Sequence, residues 1–263
     1  MIAVISDVHA NADALGRVLA DVRKADPDNT ICLGDLVGYH TLVHETLAML
    51  RDAKIPSVHG NHDLMVVGGI DAESCRGRVA QAVHWTRSAI TVEEHRYLAS
   101  LPGAYRLRHD LLFVHSCLGD PVRRLRSPHD YLQQYRLLRH FDPALRICFT
   151  GHTHVARIVE ITGDESVRLR KEDQVDLQND CFYFVDPGSV GHPRGEDRRA
   201  TYVLYDPAAD RVTLRRVAYK PNRVLREDVK HGLPAIELVN GAFLPGARAA
   251  VRALAERFAS MGR

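Results

Sequence analysis

Five short fragments of the chain carry side chains able to hold a metal ion: Asp7-Val8-His9, Gly34-Asp35, Gly60-Asn61-His62-Asp63, His115 and Gly151-His152-Thr153-His154. Imidazoles and carboxylates without a thiolate suit Mn, Fe, Zn or Ni. They suit Ca and Mg less well, because those ions take oxygen ligands. The set is larger than one tetrahedral zinc requires, and it is enough for two ions that share a carboxylate. Any fragment alone says little, since Asp-x-His arises by chance and Gly-Asp is a common turn. Their joint meaning depends on where the chain puts them.

Each fragment follows a short apolar run. Residues 2–6 precede Asp7, 30–33 precede Gly34, 55–59 precede Gly60, 111–114 precede His115 and 145–150 precede Gly151. Runs of that length, bounded by polar residues and glycine, read as buried strands. In open α/β sheets ligands bind beyond the carboxyl ends of the strands. If these strands are parallel neighbours, the strand ends converge on one patch. In an extended segment residues i and i+2 point to the same side. Asp7 and His9 then share a target, and so do His152 and His154. Gly34, Gly60 and Gly151 permit positive φ and close backbone approach there.

The elements that must position these residues alternate in the first part of the chain. Ala14, Leu15, Val18, Leu19 and Val22 recur at helical spacing after the first strand, with Asn11 as the expected N-cap. Val43, Leu47 and Leu50 mark a second helix, and residues 76–90 a third. Thr91 with Glu94 resembles a capping box that opens a fourth. Such alternation implies a largely parallel sheet covered by helices. Later segments read as hairpins: 104–108 with 111–115, 156–161 with 166–170, and 200–205 with 211–217. Residues 182–186 form a further apolar run. Periodicity is weak over 220–241, and a last helix is expected near 246–259 behind Pro245. No Pro/Gly/Ser-rich linker divides the chain. The expectation is one α/β domain over 1–263, with its core at about 1–219 and a C-terminal extension over 220–263.

Composition narrows the class. The chain has 263 residues, 35 Lys+Arg against 33 Asp+Glu, and a formal net charge of +2. That balance does not describe a protein that coats DNA or an anionic membrane. No apolar stretch reaches the roughly 20 residues of a membrane span. The N-terminal residues show no signal-peptide pattern. The 5 cysteines lie far apart without a CxxC pair, which fits small core residues in a reducing cytoplasm.

The ordered set resembles the calcineurin-like metallophosphoesterase family, whose pattern is D-x-H, G-D, G-N-H-D/E, H and G-H-x-H. A later stretch, Asp186-Pro187-Gly188-Ser189-Val190-Gly191-His192-Pro193-Arg194, is similar to the P-G-S-x-G-x-P-R segment of the family's bacterial branch. The resemblance implies a four-layer αββα sandwich with two central mixed β-sheets and the site at the strand C-terminal ends. It implies two divalent metal ions, Mn first and Fe, Zn or Ni as alternatives. One is held by Asp7, His9, His154 and the shared Asp35, the other by Asp35, Asn61, His115 and His152. The implied reaction is hydrolysis of a phosphate ester by a hydroxide bridging ions ~3.5–4 Å apart. His62 adjoins a ligand without a metal place of its own, so it is the expected proton donor to the leaving group. Asp63 is expected either to orient His62 or another site histidine from behind or to be an ordinary helix-start or turn aspartate.

One departure bears on the substrate. Protein phosphatases and symmetrical dinucleoside tetraphosphatases of similar pattern usually carry a phosphate-gripping arginine a few residues after G-D. Here Gly34-Asp35-Leu36-Val37 continues Gly38-Tyr39-His40. The expectation is therefore a phosphodiesterase acting on a nucleotide or nucleic-acid type of ester. A phosphomonoesterase is the alternative, and a non-catalytic metal-binding scaffold is a third reading that the intact His62 argues against. Arg194 is a candidate substrate contact. The arginines between residues 120 and 146 (Arg123, Arg124, Arg126, Arg136, Arg139 and Arg146) are read as a solvated helix face rather than a basic lid. Trp85, Tyr39 and Tyr131 are read as packing residues rather than base-stacking ones.

Overall fold

The first strand already shows two-sided burial. Strand β1 (Ile2–Ile5) sends Ile2 and Val4 to one core and Ala3 and Ile5 to another. A strand apolar on both faces must lie between two packed layers. The computed structural model describes residues 1–72, 75–194 and 197–233. After β1 come α1 (Ala12–Ala25), β2 (Asn29–Cys32), α2 (Val43–Asp52), α3 (Asn61–Val67), α4 (Arg78–Ala89) and α5 (Val92–Ala99). The second half runs β3 (Ala104–Tyr105), β4 (Leu111–Val114), α6 (Pro128–Phe141), β5 (Ile147–Phe149), β6 (Arg157–Ile161) and β7 (Val167–Arg170). It continues with β8 (Gln174–Asp176), β9 (Phe182–Asp186), β10 (Ala200–Asp206), β11 (Arg211–Val217) and α7 (Asn222–Lys230).

The strands form two sheets, ordered β2-β1-β10-β11-β8 and β3-β4-β5-β9-β6-β7. Between the sheets lie Val4, Leu33, Phe113, Phe149, Tyr183 and Tyr205. Phe113 and Phe149 stack there with ring centroids 4.8 Å apart. The outer face of the first sheet packs Ala3, Ile5 and Tyr202 against Leu15 and Val18 of α1 and Leu47 of α2. The outer face of the second packs Leu112, Cys148 and Phe184 against Tyr131 and Leu138 of α6. This is the four-layer αββα sandwich with two mixed sheets. Among the described residues no helix is long and apolar enough to cross a membrane.

Helix starts follow the residues that signal them. Asn11 Oδ1 accepts the Ala14 N–H at 3.1 Å and caps α1, while its Nδ2 donates to the Gly191 carbonyl at 2.9 Å. Thr91 and Glu94 form the reciprocal capping box of α5. Ser127 and Asp130 do the same for α6, with Pro128 in the first turn.

Three expectations are corrected. The sheets are not largely parallel: β1–β2, β4–β5 and β5–β9 are, but the other ladders are antiparallel. Short connections such as β6–β7 and β10–β11 allow only antiparallel pairing. Residues 55–59 make a single parallel bridge, Cys32 to Ser57, rather than a strand. Pro56 has no N–H to donate to a ladder, and the Ile55 N–H closes back on Leu50. Within 220–241 a helix does form: α7 buries Val224, Leu225 and Asp228. The helix expected near 246–259 lies outside the described residues.

Candidate metal centre

Parallel pairing brings the motif residues together. Beyond the β1–β2 ladder, the Asp7 N–H donates to Gly34 O at 3.0 Å and the His9 N–H to Asp35 O at 2.8 Å. Beyond β4–β5, the Gly151 N–H donates to His115 O at 2.8 Å. The two sheet rims then meet side by side: the His152 N–H donates to Asp7 Oδ2 at 3.0 Å, and His115 Nδ1 donates to Leu33 O at 2.8 Å.

The backbone at these ends is not extended. Asp7, His9, Asp35, His152 and His154 have φ of 54°, 53°, 51°, 68° and 62°. The i, i+2 alternation expected for Asp7/His9 and His152/His154 is therefore corrected: left-handed turns, not strand pleats, aim both members of each pair. A non-glycine residue held so costs about 1–3 kcal/mol, and the cross-rim hydrogen bonds hold it. Close approach also explains two glycines. A Cβ on Gly151 would lie 2.0 Å from Ser6 Oγ, and one on Gly60 would lie 2.0 Å from Asp35 Oδ1.

Two groups of possible ligand atoms result. Asp7, His9, Asp35 and His154 offer atoms within 4.8 Å of one another, as do Asp35, His115 and His152. Asp35 belongs to both: its Oδ2 lies 3.6 Å from His9 Nε2 and 3.5 Å from His115 Nε2. Asn61 Oδ1 lies 3.1 Å from His115 Nε2. Asp7 Oδ1 lies 3.2 Å from His154 Nε2.

Carbonyls fix the imidazole tautomers. His9 Nδ1 donates to Val37 O, His154 Nδ1 to His192 O and His152 Nε2 to Val122 O, at 3.2, 2.6 and 2.9 Å. The opposite nitrogen of each ring then carries its lone pair toward the centre. His9 Nε2 and His154 Nε2 face each other at 3.1 Å, an arrangement that a cation relieves. Asp7 Oδ1 and Asp35 Oδ2 are buried without a hydrogen-bond partner, which is costly for carboxylate oxygens unless a cation pairs them. The residues therefore fit divalent ions.

Electrostatics agree. Burial, then the Asp7 charge, pushes the Asp35 carboxyl well above its ordinary range. Burial also opposes the Asp7 charge, but His154, His115 and the Ser6 hydroxyl outweigh it and hold Asp7 low. Burial lowers His9, His115 and His154, and burial with His115 pushes His152 down to about 3. Burial disfavours the protonated form of these imidazoles, and the neutral form is the one that binds metal.

His62 sits at the edge of this centre. Its ring stacks on Tyr39 at 5.0 Å and meets His9 edge-on at 4.9 Å. Its Nε2 is 3.9 Å from Asp35 Oδ2, and burial followed by His115 lowers it to about 3. Asp63 does not orient His62 or any other imidazole; of its two expected roles the first is corrected and the helix-start one is what the structure shows. Its oxygens accept backbone N–H groups of Leu36, Val37 and Gly60 at 2.9, 3.2 and 2.8 Å. A carboxylate at the third position of α3 meets the unpaired donors of the helix start and the nearby turn. It staples the Asp35 loop to the Asn61 helix.

Two arginines flank the centre. Arg194 donates to the Tyr39 hydroxyl at 3.2 Å, and its backbone N–H donates to His154 O. Arg124 was not singled out by its spacing. It is half-buried, its Nε lacks a partner, and its charge acts on Asp35, His62, His115 and His152. Several of its neighbours are spent elsewhere: Arg123 on Asp130, Arg136 on Glu165 and Arg146 on Asp210. No spacing rule separates Arg124 from them. The His152–Val122 bond does, because it lays this loop over the centre.

Known proteins resemble this chain in sequence and fold. Residues 1–210 match the calcineurin-like phosphoesterase superfamily domain. An uncharacterized protein of Methanocaldococcus jannaschii is 31% identical over 239 residues, covering 89% of this chain and 94% of that protein. The crystal structure of a metallophosphoesterase from Sphaerobacter thermophilus superposes with a TM-score of 0.73 at 31% identity, covering 97% of this chain and 98% of that one. A hypothetical protein from Pyrococcus horikoshii shares the fold, with a TM-score of 0.73 at 17% identity over 89% of this chain and 95% of that one. The domain match spans most of the sequence, and by it this chain belongs to the calcineurin-like phosphoesterase superfamily.

Proposed function

We propose that the chain is a dinuclear metal-dependent phosphodiesterase. The observation that carries this reading is Asp35, one carboxylate common to both ligand groups, with an oxygen no protein donor satisfies. Asp7, His9, His154 and Asp35 would hold one ion, and Asp35, Asn61, His115 and His152 the other. Mn is the first choice, with Fe, Zn and Ni as alternatives, since imidazole and carboxylate together serve all of them. When bound, such a pair supplies a hydroxide nucleophile near neutral pH and offsets phosphoryl charge.

The chain's own side chains supply the rest. His62, packed between Tyr39 and His9, gives a proton to the leaving alkoxide. A phosphate anion beside the ring favours its protonated form, against the burial that holds it neutral otherwise. Arg124 and Arg194 bind the non-bridging oxygens and set the ester in line. The substrate class is a nucleotide or nucleic-acid type of phosphodiester, because the segment after Asp35 brings the Tyr39 ring, not a cation, against His62. The free cysteines Cys32, Cys75, Cys117, Cys148 and Cys181 suit a reducing cytoplasm.

A phosphomonoesterase is the second reading. Arg124 and Arg194 favour it, since together they could grip the dianion that the absent arginine would otherwise hold.

Hydrolysis of a chromogenic diester by the Mn-loaded protein tests the proposal. Turnover should be lost after EDTA treatment and in both Asp35→Asn and His62→Ala. Silence of the Mn-loaded protein on mono- and diesters alike would replace it with a non-catalytic metal-binding scaffold.

A further inference from the structure

A proton-transferring imidazole is commonly held in one orientation by a hydrogen bond at its far nitrogen. His62 has no such bond: its Nδ1 is buried without a partner. The oxygens of its neighbour Asp63 are spent on backbone N–H groups. Packing fixes the ring instead. Tyr39 stacks on it with centroids 5.0 Å and planes 29° apart, and His9 stands edge-on at 4.9 Å. Gly38 closes the side at Nδ1. Its φ of 109° brings the backbone so near that a Cβ there would collide with the His62 ring.

Tyr39 is itself held firmly. His192 stacks on it at 4.6 Å with the planes 13° apart, and His9 meets it edge-on at 4.4 Å. Two rings stacked at such distances must take opposite faces, so Tyr39 has no free face for a nucleobase. Its carbonyl accepts Arg78 Nη2 at 3.1 Å. The next two residues, His40 and Thr41, bind the buried Asp228 of α7. From this fixed ring the hydroxyl accepts Arg194 Nη2 at 3.2 Å, while the Arg194 N–H donates to His154 O at 3.0 Å. One side chain therefore touches both His62 and the Arg194 guanidinium.

We propose that Tyr39 is a positioning residue: its ring sets the orientation of His62 and its hydroxyl sets the reach of Arg194. Proton donation and phosphate grip are then aligned by one side chain. This rests on the hydrolase reading above, in which His62 gives the proton and Arg194 binds a non-bridging oxygen.

Steady-state kinetics of the Mn-loaded full chain on bis(p-nitrophenyl) phosphate and diphenyl phosphate tests it, with bound Mn measured by elemental analysis. Phenolate is the poorer leaving group, so it depends more on a well-placed proton donor. Tyr39→Phe keeps the ring and loses the acceptor, so KM should rise about threefold to tenfold for both esters with kcat kept. Tyr39→Leu loses the stacked ring as well. Its kcat per bound Mn should fall about tenfold or more on diphenyl phosphate and less on bis(p-nitrophenyl) phosphate, the same selectivity as His62→Ala. Tyr39→Met takes its place if the leucine variant does not fold. A merely structural tyrosine would lower kcat on both esters alike. An unchanged KM in Tyr39→Phe, or equal losses of kcat on the two esters in Tyr39→Leu, overturns the proposal. The NMR resonance of the His62 ring, assigned by its loss in His62→Ala, gives a reading that needs no turnover. It should move in Tyr39→Leu and stay near its place in Tyr39→Phe. If the wild-type protein turns over neither ester, the hydrolase reading falls. A His62 resonance that moves only in Tyr39→Leu then upholds the hold of Tyr39 on His62, and one that moves in neither variant overturns it.

Discussion

Asp35 divides its two oxygens between the fold and the centre. Oδ1 accepts the His62 N–H at 2.9 Å, and Oδ2 faces His9 and His115. Asp35→Asn keeps an acceptor for His62 but removes the shared charge. It should lower bound metal, measured by elemental analysis, and reduce kcat/KM on the order of a thousandfold. His62→Ala should behave differently, with metal content kept and kcat lowered by roughly 10²–10⁴-fold, the usual span for a lost general acid. Arg124→Gln should raise KM for a phosphodiester about tenfold with little change in kcat, the loss of one charged hydrogen bond to substrate; an unchanged KM would place Arg124 outside the substrate site. At this scale the ligand-capable residues were legible because Asp, Asn and His stand at the ends of apolar runs. Asp63 was legible as a helix-start carboxylate, but its reach to the Leu36 and Val37 N–H groups was not, because those donors lie far away in sequence. Arg124 was missed because its neighbours have the same charge and different partners.

The elements deliver these residues through short, strained exits rather than through regular strands. Periodicity located β1, β2, β4 and β5 and the polar residues beyond them. It could not show that Asp7, His9, Asp35, His152 and His154 adopt left-handed φ, since that depends on bonds between rims that are far apart in sequence. Capping was legible for α1 at Asn11 and for α5 at Thr91 and Glu94. Ser127-Pro128-His129-Asp130 carries the equivalent signal for α6 inside an arginine-dense segment. That box makes a pH prediction. Hydrogen bonds from Ser127, backbone first and then hydroxyl, push Asp130 down to about 2. A carboxyl with a lowered folded pKa stabilises fully above its unfolded value of about 3.9, and that share is lost as pH falls through about 2. Asp130→Asn should therefore flatten the acid limb of a stability–pH curve between those values and leave its slope near neutrality unchanged. Ser127→Ala should cost about 1 kcal/mol in denaturant unfolding.

On the scale of the molecule, the two sheets face each other so that both rims end at one place. The strand-and-helix order made an α/β domain legible and the family resemblance its two mixed sheets; the order alone pointed to parallel pairing, because it does not register that short hairpins reverse the later strands. Helix α7 escaped notice because two buried apolar residues, Val224 and Leu225, are too few to set a period. The rims bring Asp7 and Asp35 together in the interior, so on the proposed reading the folded chain would bind cations that the unfolded chain cannot gather ligands for. Mn at about 100 times its dissociation constant should add about 2.7 kcal/mol of stability per site. For a chain of this size that is a rise in Tm of roughly 5–10 °C, reversed by EDTA and much reduced in Asp35→Asn. A melting curve indifferent to Mn would contradict the buried ligand assignment. The most direct test of the central claim is the ratio of kcat/KM for bis(p-nitrophenyl) phosphate and p-nitrophenyl phosphate, measured on the Mn-loaded protein. The account predicts metal-dependent turnover that favours the diester, and a many-fold preference for the monoester would contradict it.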